Sequence, residues 1–356
     1  MIQLGLRTLL ADVPEFLKGS SVGLLAHAAS VAVIDDKIHH AANVIQNHLD
    51  LNLVRLFAPE HGLYGIAQAG ENVADSVDAS THLPVISLYG ERRAPEKEHL
   101  QDLDVLLVDL QDVGVRCYTY LSTVKACLQV CAETKTKLVL LDRPNSLGRN
   151  VFGEGVEKGF ESFVGVHDVP FVHGLTLGEL ATHIARDLSI EDTLEVIAVK
   201  NWSGELWSET TLPWIPPSPN LPTFQSALCY PATVFFEGTN ISEGRGTEFP
   251  FEQIGAPWLD GKRLAESLNA RDLSGIHFED ARFTPTRSKH KGTSVEGVRL
   301  RLTSETFDPL ETAFVLLQEI YRQNPQWLEW LFTKDGRAFT DLLHGSSKLR
   351  QKVTQT

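Results

Sequence analysis

Residues 53–65, LVRLFAPEHGLYG, decide how this chain is read. Residues 53–57 form an apolar run as long as a buried strand, broken only by Arg55, and the run leads straight into Pro59, Glu60, His61 and Gly62. In an open parallel sheet the ligand crevice lies beyond the carboxyl ends of the strands. A Glu and a His at that end, bracketed by a proline and a glycine that force a sharp exit, stand where chemistry is done. Glu60 is therefore the candidate catalytic acid, with His61 beside it. The competing reading makes Glu60 a helix cap or a surface ion-pair partner.

Working outward, the first half alternates strand and helix. Residues 21–29, 83–89, 104–111 and 137–142 read as further strands. Residues 36–48, 95–100 and 118–135 read as helical, as do residues 177–187, where Thr176 and Glu179 have capping-box spacing. This alternation implies right-handed crossovers and a parallel sheet. A boundary follows, because residues 202–223 contain WIPPSPNLPT, which can continue neither a helix nor a central strand. The remainder begins with residues 230–237, passes a glycine-rich segment, and ends in a strand over 297–303 and helices over 309–322 and 336–344. The expected fold class is α/β: a Rossmann-like parallel-sheet domain over residues 1–205, joined to a smaller α+β domain over 206–356. A cleft between the two is the expected site.

Composition narrows the function. At 356 residues and 42% hydrophobic the chain can bury two ordinary cores. A net charge of −14 excludes nucleic acid and anionic membrane as partners, which need a basic footprint, and leaves small neutral or carbohydrate substrates open. No apolar run reaches the ~18–20 residues that span a bilayer. The first residues, MIQLGLRTLLADVPEF, lack a basic start, a long apolar core and a cleavage site, so the reading is cytoplasmic, or a chain without its leader. Cys117, Cys127, Cys131 and Cys229 show neither disulfide-framework nor zinc spacing and read as buried free thiols.

Polar residues gather at the predicted strand ends. DLQDVGVRCYTY supplies Asp109, Gln111, Asp112, Arg116, Tyr118 and Tyr120, and DRPNSLGRN supplies Asp142, Arg143 and Asn145. Carboxylates accept from hydroxyls, a guanidinium captures an anionic substituent and tyrosine rings stack on pyranose faces, so these residues suit a sugar site. The alternative is an Asp–Arg network that holds loops together. From the second half, residues 235–258 (FFEGTNISEGRGTEFPFEQIGAPW) add Glu237, Asn240, Glu243 and Arg245 among four glycines, as a ligand-gripping loop or an ordinary tight turn. Lys289 and His290, in FTPTRSKHKG, read as a solvated basic loop. LLAHAAS stands where a GxGxxG fingerprint would be, and there is no GxSxG elbow, HExxH helix or phosphate loop. No cofactor and no metal is implied.

With these residues in view, APEHGLYG, DLQDVGVRCYTY, DRPNSLGRN, HGLTLGELA, PSPNLPT, YPATVFFEGTNISEGRGTEFPFEQIGAPW and FTPTRSKHKG together resemble the exo-β-N-acetylmuramidase NamZ family. The motifs fall in family order over nearly the whole chain. The resemblance implies a glycoside hydrolase that removes β-1,4-linked N-acetylmuramic acid (MurNAc) from the non-reducing end of peptidoglycan fragments of the MurNAc–GlcNAc type (GlcNAc, N-acetylglucosamine). It also implies a Rossmann-like domain joined to a smaller one, and Glu60 as the catalytic residue of the PEHG motif. Tyr64 and Ala58 stand where the family usually carries Arg and Gly. Exported family members carry a leader; that none is seen here fits cytosolic recycling of imported fragments, or a chain from which the leader has been trimmed.

On this reading Glu60 is the general acid, kept protonated by burial as glycosidase acids require. Asp112 orients the substrate's acetamido group or Glu243 serves a water, while His61 orients Glu60 or binds a hydroxyl. Arg116 and Arg245 are candidates for the lactyl carboxylate. Two other readings stay open: a non-catalytic muropeptide-binding protein, and a transferase or hydrolase using Asp109, Asp112 and Asp142 around Mg²⁺.

Overall fold

The computed structural model of the chain describes residues 2–68 and 70–355. These fall into two compact units. The first comprises Met1–Gly114, Tyr118–Arg149 and Gly174–Pro222; the second comprises Val115–Cys117, Asn150–His173 and Thr223–Thr356.

Among the described residues the first unit has nine strands: β1 (Ser21–Ala26), β2 (Val31–Ile34), β3 (Lys37–His40), β4 (Asn52–Ala58), β5 (Ser76–Val77), β6 (Pro84–Ser87), β7 (Val105–Asp109), β8 (Lys137–Leu141) and β9 (Leu194–Ile197). Seven of them form one sheet in the order β5-β6-β4-β1-β7-β8-β9. All of its pairings are parallel except that of β5 with β6. From β1 the chain winds outward to β4 and β6, then returns to place β7 on the other side of β1. That reversal is the order of a dinucleotide-binding sheet, and it opens a crevice at the β1/β7 carboxyl ends. β7 is buried along its whole length and β1 and β8 along all but their first residue, as expected of apolar runs covered on both faces. Helix Tyr120–Thr134 packs on β8, and helix Leu177–Asp187 packs on β9 and on Tyr120–Thr134. The capping box is present as expected: Glu179 N–H donates to Thr176 Oγ1, and Thr176 N–H donates to the Glu179 carboxylate.

Three local expectations change. The helix read over 36–48 is a β2–β3 hairpin followed by a short helix, Ala41–Gln46. Asp35 and Asp36 form its turn with φ of +49° and +59°, the double left-handed geometry that matches strand twist in a two-residue hairpin and that Asp tolerates. Residues 95–100 form a 3₁₀ turn, Lys97–His99. The edge strand β9 is not among the strands expected from the sequence; its short LEVI segment is half-exposed apart from the exposed Glu195.

In the second unit, helix Phe224–Thr233 runs into a 3₁₀ turn, Val234–Gly238. An antiparallel sheet follows, with strands β10 (Gln253–Ala256), β11 (Ile276–Phe283) and β12 (Val295–Leu302) in the order β10-β12-β11. Helix Gly261–Asn269 packs on β11 and β12, and helix Pro309–Gln323 packs against it and against Phe224–Thr233. Ile276, Phe278, Val298 and Leu300 supply one buried face of the sheet, while the Glu279–Arg301 pair lies on the other, wetter one.

Candidate active site

Glu60 stands two residues beyond β4, where the ladder with β1 and β6 ends. Its side chain is 7% exposed. Oε1 accepts from Gly70 N–H at 3.1 Å, and Oε2 accepts from the Thr119 hydroxyl at 2.7 Å. The loop leaving Glu60 therefore returns to it at Gly70, and Thr119, just before helix Tyr120–Thr134, holds the other oxygen. His61 has φ of +73°, a left-handed conformation that costs about 1–3 kcal/mol in a non-glycine residue and persists where the surroundings impose it. The surroundings do so here: His61 Nδ1 donates to Ala67 O at 2.9 Å, and Ala67 N–H donates to His61 O at 3.2 Å.

His27 follows β1 at the centre of the sheet edge. Gln111 N–H donates to its Nε2 at 2.9 Å, so the proton sits on Nδ1, facing the Tyr120 hydroxyl at 3.0 Å and Pro217 O at 3.3 Å. Burial holds its pKa well below 6.5, so the ring is neutral. β1 leads from here into a hairpin, not into the glycine turn and helix that cradle a pyrophosphate. Asp112, past β7, is buried, and its Oδ1 accepts from Gly114 N–H at 2.7 Å. Tyr118 stacks edge-on against Tyr120, with ring centres 4.8 Å apart. Glu60, His61, Asp112 and Tyr118 thus belong to one edge of the first unit's sheet.

The residues after β8 do something else. Arg143 grips fully buried Asp109 with two hydrogen bonds, of 2.6 and 2.9 Å, and its Nη2 also reaches Val31 O. Asp142 Oδ1 accepts from Gly178 N–H at 2.9 Å, at the start of helix Leu177–Asp187, and burial raises its pKa. Gly178 has to be glycine, since a Cβ there would lie 2.8 Å from Asp142 Cγ. Asn145 links Leu175 O to Leu147 N–H. Asp142, Arg143 and Asn145 join loops and a helix end; their polar atoms face protein. Asp109 and Asp142 are likewise engaged, which removes the basis for a Mg²⁺ site. Among the described residues, no group of three or more His, Cys, Asp or Glu could hold a metal ion.

Arg116 corrects the expectation of a ligand for an anionic substituent. It is fully buried in the second unit, and its terminal nitrogens donate to four carbonyls, those of Glu154, Val169, Leu343 and His344. With both terminal nitrogens filled by main-chain oxygens and only the buried Nε left without a partner, the guanidinium ties three segments together and keeps no two-pronged fork for a carboxylate.

The glycine-rich segment of the second unit forms an alternating chain of charge. Arg245 bonds Glu237 through Nη2 at 2.5 Å and Glu243 through Nε at 3.1 Å, and Lys289 Nζ lies 2.9 Å from the other Glu243 oxygen. Burial pushes the Glu237 carboxyl up, and Arg245 only partly opposes it. Burial also acts on Glu243, but Lys289 and Arg245 outweigh it and hold that carboxyl below its ordinary value. Lys289 was read as solvated; its ammonium is instead caged by Glu243 and the carbonyls of Phe236 and Ile241. Asn240 is structural, since its side chain bonds Trp327 O and Glu329 N–H.

The model of the exo-β-N-acetylmuramidase NamZ N-terminal domain matches residues 22–225, and that of the C-terminal domain matches residues 228–356. The chain belongs to the NamZ family. A relative from Bacillus subtilis (strain 168), peptidoglycan β-N-acetylmuramidase NamZ, is 40% identical over 355 residues, covering 99% of this chain and 84% of the relative. Two crystal structures of DUF1343 family proteins from Bacteroides fragilis NCTC 9343 share the fold. One has a TM-score of 0.87 at 32% identity, covering 99% of this chain and 91% of that one. The other has a TM-score of 0.75 at 27% identity, covering 100% and 91%. Within this NamZ-family chain, sequence reasoning passed over Thr119, the partner of Glu60, and His27, the pivot of the β1 edge. Thr119 sits inside a quoted motif, DLQDVGVRCYTY, and its place just before a long helix was the available signal.

Proposed function

We propose that this NamZ-family chain is an exo-acting glycoside hydrolase in which Glu60 protonates the bridging oxygen of a β-1,4-linked N-acetylmuramic acid residue. The substrates are peptidoglycan-derived saccharides of the MurNAc–GlcNAc type, cleaved from the non-reducing end. The observation that carries the reading is the Glu60 carboxyl: buried at the carboxyl end of β4, with both oxygens located by Gly70 and Thr119. Placement of this quality is what an acid needs in order to meet a leaving-group oxygen without reorganisation.

Asp112 is the natural second group. It follows β7 while Glu60 follows β4, and the two strands flank β1, so two strand spacings, about 10 Å, separate their backbones. On this placement the substrate's own acetamido group, the known exception to the two-carboxylate scheme, is the nucleophile. We assign Asp112 to the substrate's 2-acetamido group, whose carbonyl oxygen attacks C1 as the C1–O bond breaks and the proton passes from Glu60 to the leaving hydroxyl. Water then opens the cyclic intermediate, with Glu60 taking back a proton. His61, held through Nδ1 to Ala67 O, sits next to Glu60 and orients it or binds a sugar hydroxyl. The scheme calls for no metal and no cofactor. Incubation with N-acetylmuramyl-β-1,4-N-acetylglucosamine tests it: free N-acetylmuramic acid should appear in step with N-acetylglucosamine. Binding without cleavage would return the non-catalytic reading.

A further inference from the structure

The loop that leaves Glu60 carries two exposed apolar side chains, Tyr64 at 43% exposure and Ile66 at 81%. Exposed side chains of this size on a loop are unremarkable if the loop is loose, and this one is not. Its ends are clasped by the His61–Ala67 pair of bonds, and its far limb is held by Gly70 N–H on Glu60 itself. Its middle rests on the end of β1: Gly65 has φ of +67°, and a Cβ there would stand 3.0 Å from Ala28 Cβ.

Tyr64 is fixed twice more. Its hydroxyl donates to Asp78 Oδ1 at 2.6 Å, and its ring leans on His40 at 5.1 Å between centres. The Nε2 of His40 in turn bonds His27 O at 3.0 Å, at the β1 edge. The residue still leaves 43% of its surface open to solvent. An aromatic side chain locked at its polar tip yet partly open, four residues along the loop from a buried acid, is a preformed platform with little rotamer entropy left to lose.

The geometry points to Tyr64, extended by Ile66, as the platform for the sugar on the leaving side of the scissile bond. This rests on the muramidase reading. An exo-acting enzyme encloses the terminal residue around the acid and lets the remainder of the saccharide run outward, so an exposed rim next to Glu60 meets the leaving sugar. The C–H groups of a pyranose face are apolar and pack on the negative face of an aromatic ring. Tyr64 thereby sets the preference for a sugar aglycone over a small one.

The test compares kcat/KM on N-acetylmuramyl-β-1,4-N-acetylglucosamine with kcat/KM on methyl β-N-acetylmuramide, which has no leaving ring. In Tyr64→Ala the ratio of the two should fall about tenfold, chiefly through KM on the disaccharide. In Ile66→Ser it should fall about threefold. Tyr64→Phe keeps the ring and should keep the ratio within about twofold. Thermal melts of all three variants separate misfolding from lost recognition, and Ile66→Ser carries the test if Tyr64→Ala does not fold. A ratio unchanged in Tyr64→Ala and Ile66→Ser, or a loss as large in Tyr64→Phe as in Tyr64→Ala, overturns the platform alone. Wild-type protein that cleaves neither glycoside sinks the muramidase reading and the platform with it.

Discussion

Replacing Glu60 by Gln isolates the proton. The exchange is nearly isosteric: Gly70 N–H can still donate to the amide oxygen, and the Thr119 hydroxyl can rotate to accept from the new NH₂. With both contacts kept in altered form, the stability change is about 1 kcal/mol or less, the worth of one ordinary hydrogen bond. Loss of a positioned general acid is far larger, about 10²–10⁴-fold in rate, or about 3–5 kcal/mol at 1.36 kcal/mol per tenfold. That loss depends on the leaving group. A sugar hydroxyl departs poorly without a proton, whereas 2,4-dinitrophenolate departs unaided. Glu60→Gln should therefore lose about 10³-fold on the disaccharide, followed by chromatography, and no more than about tenfold on 2,4-dinitrophenyl β-N-acetylmuramide, followed by absorbance. Disaccharide hydrolysis within tenfold of wild type in a folded variant would refute the assignment. An equal loss in kcat/KM on both substrates would assign Glu60 to the acetamido group instead of the leaving oxygen.

Other outcomes follow from the same structure. Asp109→Asn should destabilise by about 3–5 kcal/mol in urea unfolding, because it breaks a buried pair and leaves Arg143 uncompensated, and the double variant Asp109→Leu/Arg143→Met should recover much of that. Acetamido participation predicts that the first N-acetylmuramic acid seen by NMR is the β-anomer; an initial α-anomer would exclude it. Burial alone would raise the Asp78 carboxyl, but hydrogen bonds from Tyr64, Ser80 and Thr81 outweigh it and hold the group well below its ordinary 3.8. A depressed carboxyl adds stability that is complete above about pH 4 and fades as the pH falls through the folded value. Tyr64→Phe should accordingly cost about 1 kcal/mol at pH 7, with a gap from wild type that narrows below about pH 4. A gap independent of pH would mean that the hydroxyl does not act through Asp78.

The motif residues sorted themselves by what lay next to them. Glu60 was legible because a strand's apolar run, a proline and a glycine all constrain where it can stand. Arg116, Arg143 and Lys289 read alike in sequence, as cations among polar neighbours. Yet Arg116 binds four carbonyls, Arg143 a buried aspartate, and Lys289 a glutamate and two carbonyls. The carbonyls on Arg116 come from segments 38 to 228 residues away, and no local pattern encodes a bond of that separation. The hairpin at residues 31–40 was lost for a related reason: its turn depends on two aspartates in left-handed geometry, and periodicity alone does not register backbone handedness.

Periodicity and chain punctuation were enough for a parallel α/β sheet and an acid at the tip of one strand. Those are local properties: burial on both faces demands an apolar run, and a proline and a glycine force a sharp exit from it. Only the tertiary structure decided the strand order that puts β4 and β7 on either side of β1, the partners that hold Glu60, and which charged side chains are occupied by their own chain. These depend on groups far apart in sequence that meet only when the crossovers close, so their pairing is settled by packing rather than by any stretch read alone.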